Sequence, residues 1–369
     1  MNEEILNEKE ALVVLSSIPY LGPVRIRLLL KTFGSALNVL KTDPQQIEEM
    51  QGFGNKISEG FKVWQNNNKW KETLEISKKY GIEIISFTDS KYPEDLLRID
   101  DSPLLLYVLG DLKKEDRLSV SVVGTRQASI YGLEMAERIS QDLAEKGLTV
   151  ISGLARGIDT AAHIGALKRG RTIAVIGSGL RNIYPKENWK LAEDIAKNGA
   201  VISEFAPQTA PERQNFPRRN RIVSGMSLGT LLIEAPHKSG AMITMEMAHA
   251  QHKKLFAIPG RLDSPSFAGN HLLLKNRHAE LVANADDICK SLNLSVLEPV
   301  KTAKKKETLL LPKEEQALYN KLPEEEFSIE EIAQAQGTPV SKLNVLLMSL
   351  MLKRAVKEYP GKIYKKINV

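Results

Sequence analysis

The 369-residue chain has a single cysteine, Cys289, which excludes an intramolecular disulfide and any zinc cluster built on cysteine, and fits a reducing compartment. It has no run of about 18 or more apolar residues, so no membrane span is expected. Its start, MNEEILNEKE, is acidic and lacks the basic and apolar regions of a secretion signal; a cytoplasmic protein is the expectation. No G-x-x-x-x-G-K-[ST] occurs, which removes an ordinary P-loop nucleotide hydrolase. GSGLRN supplies Gly177 and Gly179 of a dinucleotide fingerprint but has Asn182 where the third small residue belongs, so no nicotinamide cofactor is expected. Internal repeats are missing too, and the length suits two to four domains of about 100 to 200 residues or fewer.

Acidic residues are absent from one informative stretch. FPRRNRIVSG, residues 216 to 225, crowds Arg218, Arg219 and Arg221 at the expected start of a helix. Backbone N–H groups at such a start favour anions, and guanidinium forks match phosphate oxygens, so a polyanion is the first reading. A solvated charged turn is the alternative. Charge along the chain agrees with the first: residues 1 to 115 carry 15 basic and 18 acidic groups, whereas residues 116 to 290 carry 23 and 17, and the remainder 13 and 10. The excess of positive charge sits in the middle and tail, which suits a polyanionic partner.

Residues 8 to 62 read as short helices, with PYLGPVR as a turn between the first two; a helix-hairpin-helix unit and a plain helical hairpin both fit. GIEIISF and LLLYVLG are expected strands. From Leu118 the pattern becomes regular: SVSVVG, helix 130 to 146, TVISGLA, helix 158 to 169, TIAVIG, helix 187 to 198, AVISE, helix 219 to 227, GTLLIEA, helix 240 to 252, KLFAIPG. Near-continuous apolar strands alternating with helices predict a parallel sheet covered on both faces, with all strand-to-helix loops along one edge. Residues 297 to 312 read as a lysine-rich linker. Three helices and a hairpin around Pro360-Gly361 follow, the pattern of a winged helix. The domains are therefore expected at 1–78, 79–292 and 312–369, with a linker at 293–311.

The loops VVGTRQASIYG, SGLARGID, GSGLRNIYPKEN and FPRRNR become neighbours on that edge. Gly124, Gly153, Gly157, Gly177 and Gly179 permit close backbone approach, while Arg126, Arg156, Arg181 and Lys186 bring charge, so a phosphate or sugar-phosphate site is expected. Phe216 and Tyr184 are either base-stacking platforms or core. Glu204 and Glu234 end apolar strands and are read as arginine partners. His163 is read as structural, with Asp159 at the i, i+4 spacing. Glu246, His249 and His252 have helical metal-ligand spacing but no second cluster, and a solvated face is the expectation.

SVVGTRQASIYG, GLARGIDTAAHIGAL, TIAVIGSGLRNIYPKEN, ISEF, FPRRNRIVSGMS, IEA, SGAMIT and FAIPG occur in the order and spacing of the DNA-processing protein A (DprA/Smf) family, which the chain resembles from about residue 80 to 290. The resemblance implies an α/β fold with an extended Rossmann-like, doubly wound parallel sheet, a small N-terminal helical domain and a C-terminal winged-helix domain. It implies a homodimer that binds single-stranded DNA without sequence preference and helps load the recombinase RecA during natural transformation. No catalytic activity, metal or cofactor is implied. Carried over by position, Arg126, Lys186, Arg213, Arg218, Arg219 and Arg221 are phosphate contacts, and Gly124, Ser152 and Gly153 line the groove with backbone donors. The self-association segment maps to Asn270, Leu273 and Leu281. Three departures stand out: His252-Lys253 replaces the usual glycine and arginine, His278 lies near the usual glycine of a Gly-Ala pair, and Arg181 stands where aspartate is common. The alternative is a phosphoribohydrolase-type enzyme using Glu204 or Glu234 on a small nucleotide; against it, no P-G-G-x-G-T loop occurs.

Overall fold

The computed structural model describes residues 6–294, 311–323, 325, 327–353, 355–359 and 362–367. Most of the expected linker, the Pro360-Gly361 turn and Arg354 lie outside them. The chain divides into two compact units, up to residue 300 and from residue 301. In the first unit the apolar runs form strands β1 (Glu83–Ser86), β2 (Leu105–Gly110), β3 (Ser119–Val123), β4 (Thr149–Ser152), β5 (Thr172–Val175), β6 (Ala200–Ser203), β7 (Gly229–Leu232), β8 (Lys254–Ala257) and β9 (Glu280–Leu281). They make one sheet in the order β1-β2-β6-β5-β4-β3-β7-β8-β9. β2 pairs antiparallel with β1 and β6, and every other pair is parallel.

Every residue of β3, β4, β5, β6 and β7 is buried, as a sheet covered on both faces requires. Helices Ile130–Glu145 and Ile158–Arg169 pack Ala136, Ile139, Leu143, Ala161 and Ala162 on one face. Helices Asn215–Gly225 and Gly240–Ala250 pack Ile222, Val223, Met242 and Met245 on the other. The chain moves outward from β3 to β6, then returns to place β7 on the far side of β3. The doubly wound sheet therefore has its topological switch point between β3 and β7, where open α/β sheets usually hold ligands.

Six helices between Glu8 and Lys79 precede the sheet. Their core includes Leu104 and Leu105, so they belong to the same compact unit as the sheet. Arg27 donates to the Ser102 hydroxyl at 2.5 Å and lies 5.0 Å over the Phe87 ring, fixing the segment to the sheet. Arg25 donates to the carbonyls of Tyr20 and Gly52, both at 3.0 Å, and so ties two interhelical turns together.

Helix boundaries differ from the sequence reading by one to four residues, and two of the shifts have a local cause. The helix expected from 219 starts at Asn215, because Pro217 falls in its first turn, where a missing N–H costs nothing. The helix expected to 252 ends at Ala250, and His252 itself takes the left-handed conformation, φ 57°, that glycine usually supplies. The second unit has helices Lys313–Lys321, Ile329–Gln336 and Val340–Leu352 and a small sheet in the order β10-β12-β11, with β10 at Phe327–Ser328, β11 at Val356–Tyr359 and β12 at Ile363–Lys366.

Candidate functional site

At the switch point the protein supplies its own anion. Glu234, fully buried just after β7, accepts from the Ser129 amide at 3.0 Å and hydroxyl at 2.7 Å, at the N-terminus of helix Ile130–Glu145. A carboxylate there takes the place a phosphate would occupy. Its partner is thus a helix start, not the arginine expected from sequence. In the next loop a carboxylate reaches the other way: Asp159, in the first turn of helix Ile158–Arg169, accepts from the preceding loop amides of Gly153 at 3.1 Å and Ala155 at 3.3 Å. Gly153 therefore has no free backbone donor for a ligand. Gly124 is packed against Ile158 and the Glu234 carbonyl, and Ser152, fully buried, donates to the Val122 carbonyl at 2.7 Å. All three small residues shape the loop walls from within.

Gly153 has a further role, since a Cβ on it would overlap the Arg219 guanidinium. Arg219 runs beneath the loop, buried, and donates to the Val175 carbonyl. Burial lowers its pKa to about 10, with the nearby Asp159 charge opposing the shift. Asp159 is pushed up from the usual carboxylate range by burial, against the pull of Arg219 and the two amides. His163 lies in the same interior, 2.7 Å from the Thr172 hydroxyl, and burial with the Arg219 charge holds it down to about 3. Thr172 donates its own proton to Val150, so the neutral His163 is the donor in that pair, a structural link between helix and β5.

Arg221 also turns inward. It pairs with Glu204 at 2.7 Å and Asp101 at 2.9 Å, and burial raises Glu204 despite that pairing. The phosphate contacts expected at Arg219 and Arg221 are thus corrected. Both guanidiniums lie under the surface, where desolvation demands protein partners.

The solvent-facing set is different. Arg126, after β3, is exposed and lies 5.5 Å over the Phe216 ring. Phe216 meets Tyr184 edge-on at 5.6 Å, so the two aromatics are neither core nor isolated. With Gly153, Ala155, Arg156 and Pro185 they line a shallow depression at the ends of β3, β4 and β5. Lys186 and Arg213 are exposed and make no ion pair among the described residues. Arg218 is half exposed, 3.9 Å from Glu204. Arg156 is held by Glu187 at 2.5 Å. Arg181 stacks 3.5 Å over Tyr80, a contact between segments that sequence could not reveal. Cations and aromatic faces alternate here, which suits a polyanion with planar bases.

The expected self-association residues separate. Asn270 is fully buried, its carbonyl accepting from Ala235 and its amide donating to Leu232, Ile233 and Ile258. Leu273 belongs to the sheet core, and only Leu281, 60% exposed on edge strand β9, faces outward. Asn270 and Leu273 hold the fold together instead. Asn270→Ala is therefore expected to cost at least about 2 kcal/mol in urea denaturation, because it strands buried main-chain groups. A stability within error of the parent would reject that bracing role.

Among the described residues no group of three or more His, Cys, Asp or Glu could hold a metal. His249 instead stacks on His278 at 5.7 Å. In the second unit Lys342 pairs with Glu314 and Lys353 with Glu315, while Val345, Met348 and Leu352 are exposed on the third helix. No helix among the described residues is long and apolar enough to cross a membrane.

The family model of DNA recombination-mediator protein A matches residues 83–293. Protein Smf of Synechocystis is 37% identical over 282 residues, 75% of this chain and 71% of that protein. The X-ray structure of DNA processing protein A from Streptococcus pneumoniae superposes with a TM-score of 0.66 at 32% identity, covering 77% of this chain and 98% of that one. A structure of DNA processing protein A from Helicobacter pylori, described for its single-stranded DNA binding mode, has a TM-score of 0.52 at 31% identity, covering 57% and 96%.

Proposed function

Because this chain belongs to the family of DNA recombination-mediator protein A, we propose that it binds single-stranded DNA without sequence preference in the groove around Arg126 and Phe216. The observation that carries the reading is the Arg126–Phe216–Tyr184 cluster, a cation and two aromatic rings at the sheet edge beside the free charges of Lys186 and Arg213. The Helicobacter relative's single-strand binding supports it. Stacking on aromatics tolerates any base, and backbone charge carries no sequence information. Both acidic strand ends are engaged, Glu234 by Ser129 and Glu204 by Arg221, which supports binding without bond chemistry over a nucleotide hydrolase.

The bound strand is handed to RecA, a role that the family's description as a recombination mediator supports. A homodimer formed around the exposed Leu281 would join two grooves and hold a long strand by effective concentration. A winged helix in the tail, its third helix apolar outside and its lysines paired, suits a protein contact better than groove reading.

Gel-shift or anisotropy titration at several salt concentrations tests the reading. Neutralising phosphates with Arg126, Lys186, Arg213 and Arg218 gives an expected log-log slope of about −3, from about −0.7 per phosphate on single strands. Tighter binding of duplex than of single strands, or a flat salt response, would overturn it.

A further inference from the structure

The first unit holds a second concavity, a cleft of about 550 Å³ between the helical segment and the end of β6. Its floor is Glu204, Phe205 and Ala206, and its far wall includes Ser16, Tyr20 and Arg25. The groove occupies the loops after β3, β4 and β5, and β6 is the next strand of the sheet. Adjacent strands lie about 4.8 Å apart, so cleft and groove are neighbours on one edge. The first turn of helix Asn215–Gly225 divides them, with Phe216 lining the groove and Arg218 lining the cleft.

The cleft has the chemistry of a nucleotide site. The Arg218 guanidinium lies 5.2 Å over the Phe205 ring, and its distance of 3.9 Å from Glu204 leaves its charge largely available. Arg25 and Arg218 line the cleft against the one carboxylate of Glu204, so its lining carries a net cation. The second Glu204 oxygen, Oε1, has no hydrogen-bond partner, and an amino group of a base is a suitable donor. Tyr20, 65% exposed, offers a second aromatic surface. The volume falls in the ordinary range for small ligands, about 300–1,000 Å³. The wall is held in place by the Arg25 and Arg27 bonds described above.

We propose that this cleft takes a nucleotide flanking the one at Phe216, so that the N-terminal helical segment forms a wall of the single-strand site. The inference rests on the reading of the groove as a single-strand site. A free nucleotide shares the same chemistry, so the test separates the two sources.

The full chain is titrated with a fluorescent 20-mer and, separately, with dCMP, in parent, Ser16→Trp and Arg126→Ala forms. Ser16 is exposed on the cleft wall, and an indole there fills the space. Ser16→Trp is expected to weaken the 20-mer at least about five-fold, the loss of one stacked base, and dCMP is expected to bind none of the three forms. In the parent chain, a 4-thiothymidine 20-mer is expected to crosslink to Tyr20 or Phe205. Unchanged 20-mer affinity in Ser16→Trp with no such crosslink overturns the proposal. Loss of dCMP binding alone overturns it in favour of a free nucleotide. If Arg126→Ala weakens the 20-mer while Ser16→Trp does not and no crosslink forms, the groove stands and the cleft falls; if neither variant weakens it and no crosslink forms, the underlying reading fails. The crosslink uses the unaltered protein, so it decides even if Ser16→Trp does not fold.

Discussion

Arg126→Ala is expected to weaken binding of a long single-stranded oligonucleotide about 10- to 100-fold while leaving thermal stability unchanged. The guanidinium is exposed and makes no ion pair among the described residues, so its removal strands no buried group. A charge-assisted hydrogen bond to phosphate contributes about 1.5–3 kcal/mol, which sets the size of the effect. The salt slope is also expected to become shallower by about 0.7, one phosphate fewer. Phe216→Ala is expected to fall in a similar range through lost stacking. Since Arg126 lies over that ring, the double variant should lose less than the sum of the two. Anisotropy titrations of the two single variants and the double variant measure this. Parent affinity in Arg126→Ala would remove the groove from single-strand recognition.

The contrast between Arg126 and the FPRRNR arginines shows what sequence could and could not convey. The parallel sheet was legible because a strand buried on both faces must be apolar throughout, and β3 to β7 are. β9 was not, being two exposed residues, Glu280 and Leu281, at the sheet edge beside β8. Loop convergence at one edge followed from crossover handedness and brought Arg126, Phe216 and Tyr184 together. The inward turn of Arg219 left a signal that a string of charges obscured. Ile222 and Met226, three and seven residues on, are buried on the same helical face. The nearby Asp159 charge is 60 residues away in the chain, and nothing local marks the juxtaposition. Asn270 shows the same limit, since its four bonds reach main-chain groups of two separate segments, at the ends of β7 and β8. The cleft at β6 depends on how the helical segment docks, which is set by contacts such as Arg27 with Ser102 that no periodicity encodes.

Arg219→Met is expected to destabilise the protein by about 1.5–3 kcal/mol, the contribution of a charge-assisted hydrogen bond, here to the Val175 carbonyl. Methionine keeps much of the volume beneath Gly153, so packing is a minor part of the loss. What remains is the Asp159 carboxylate, held by two amides without its nearby cation. Burial already raises Asp159, and removing the guanidinium raises it further. A raised carboxyl pKa in the folded state contributes stability below it that is lost as pH rises through it. The deficit relative to the parent should therefore be smallest in acid and grow toward neutral pH, as urea denaturation at pH 5 and pH 8 would measure. Adding Asp159→Asn removes that charge and should recover part of the loss, since a buried carboxylate without a nearby counter-charge is costly. Gly153→Ala is a second route to the same fault, because its Cβ would displace the guanidinium. If Arg219→Met instead keeps parent stability and loses affinity for single strands, the buried arginine is a ligand contact after all.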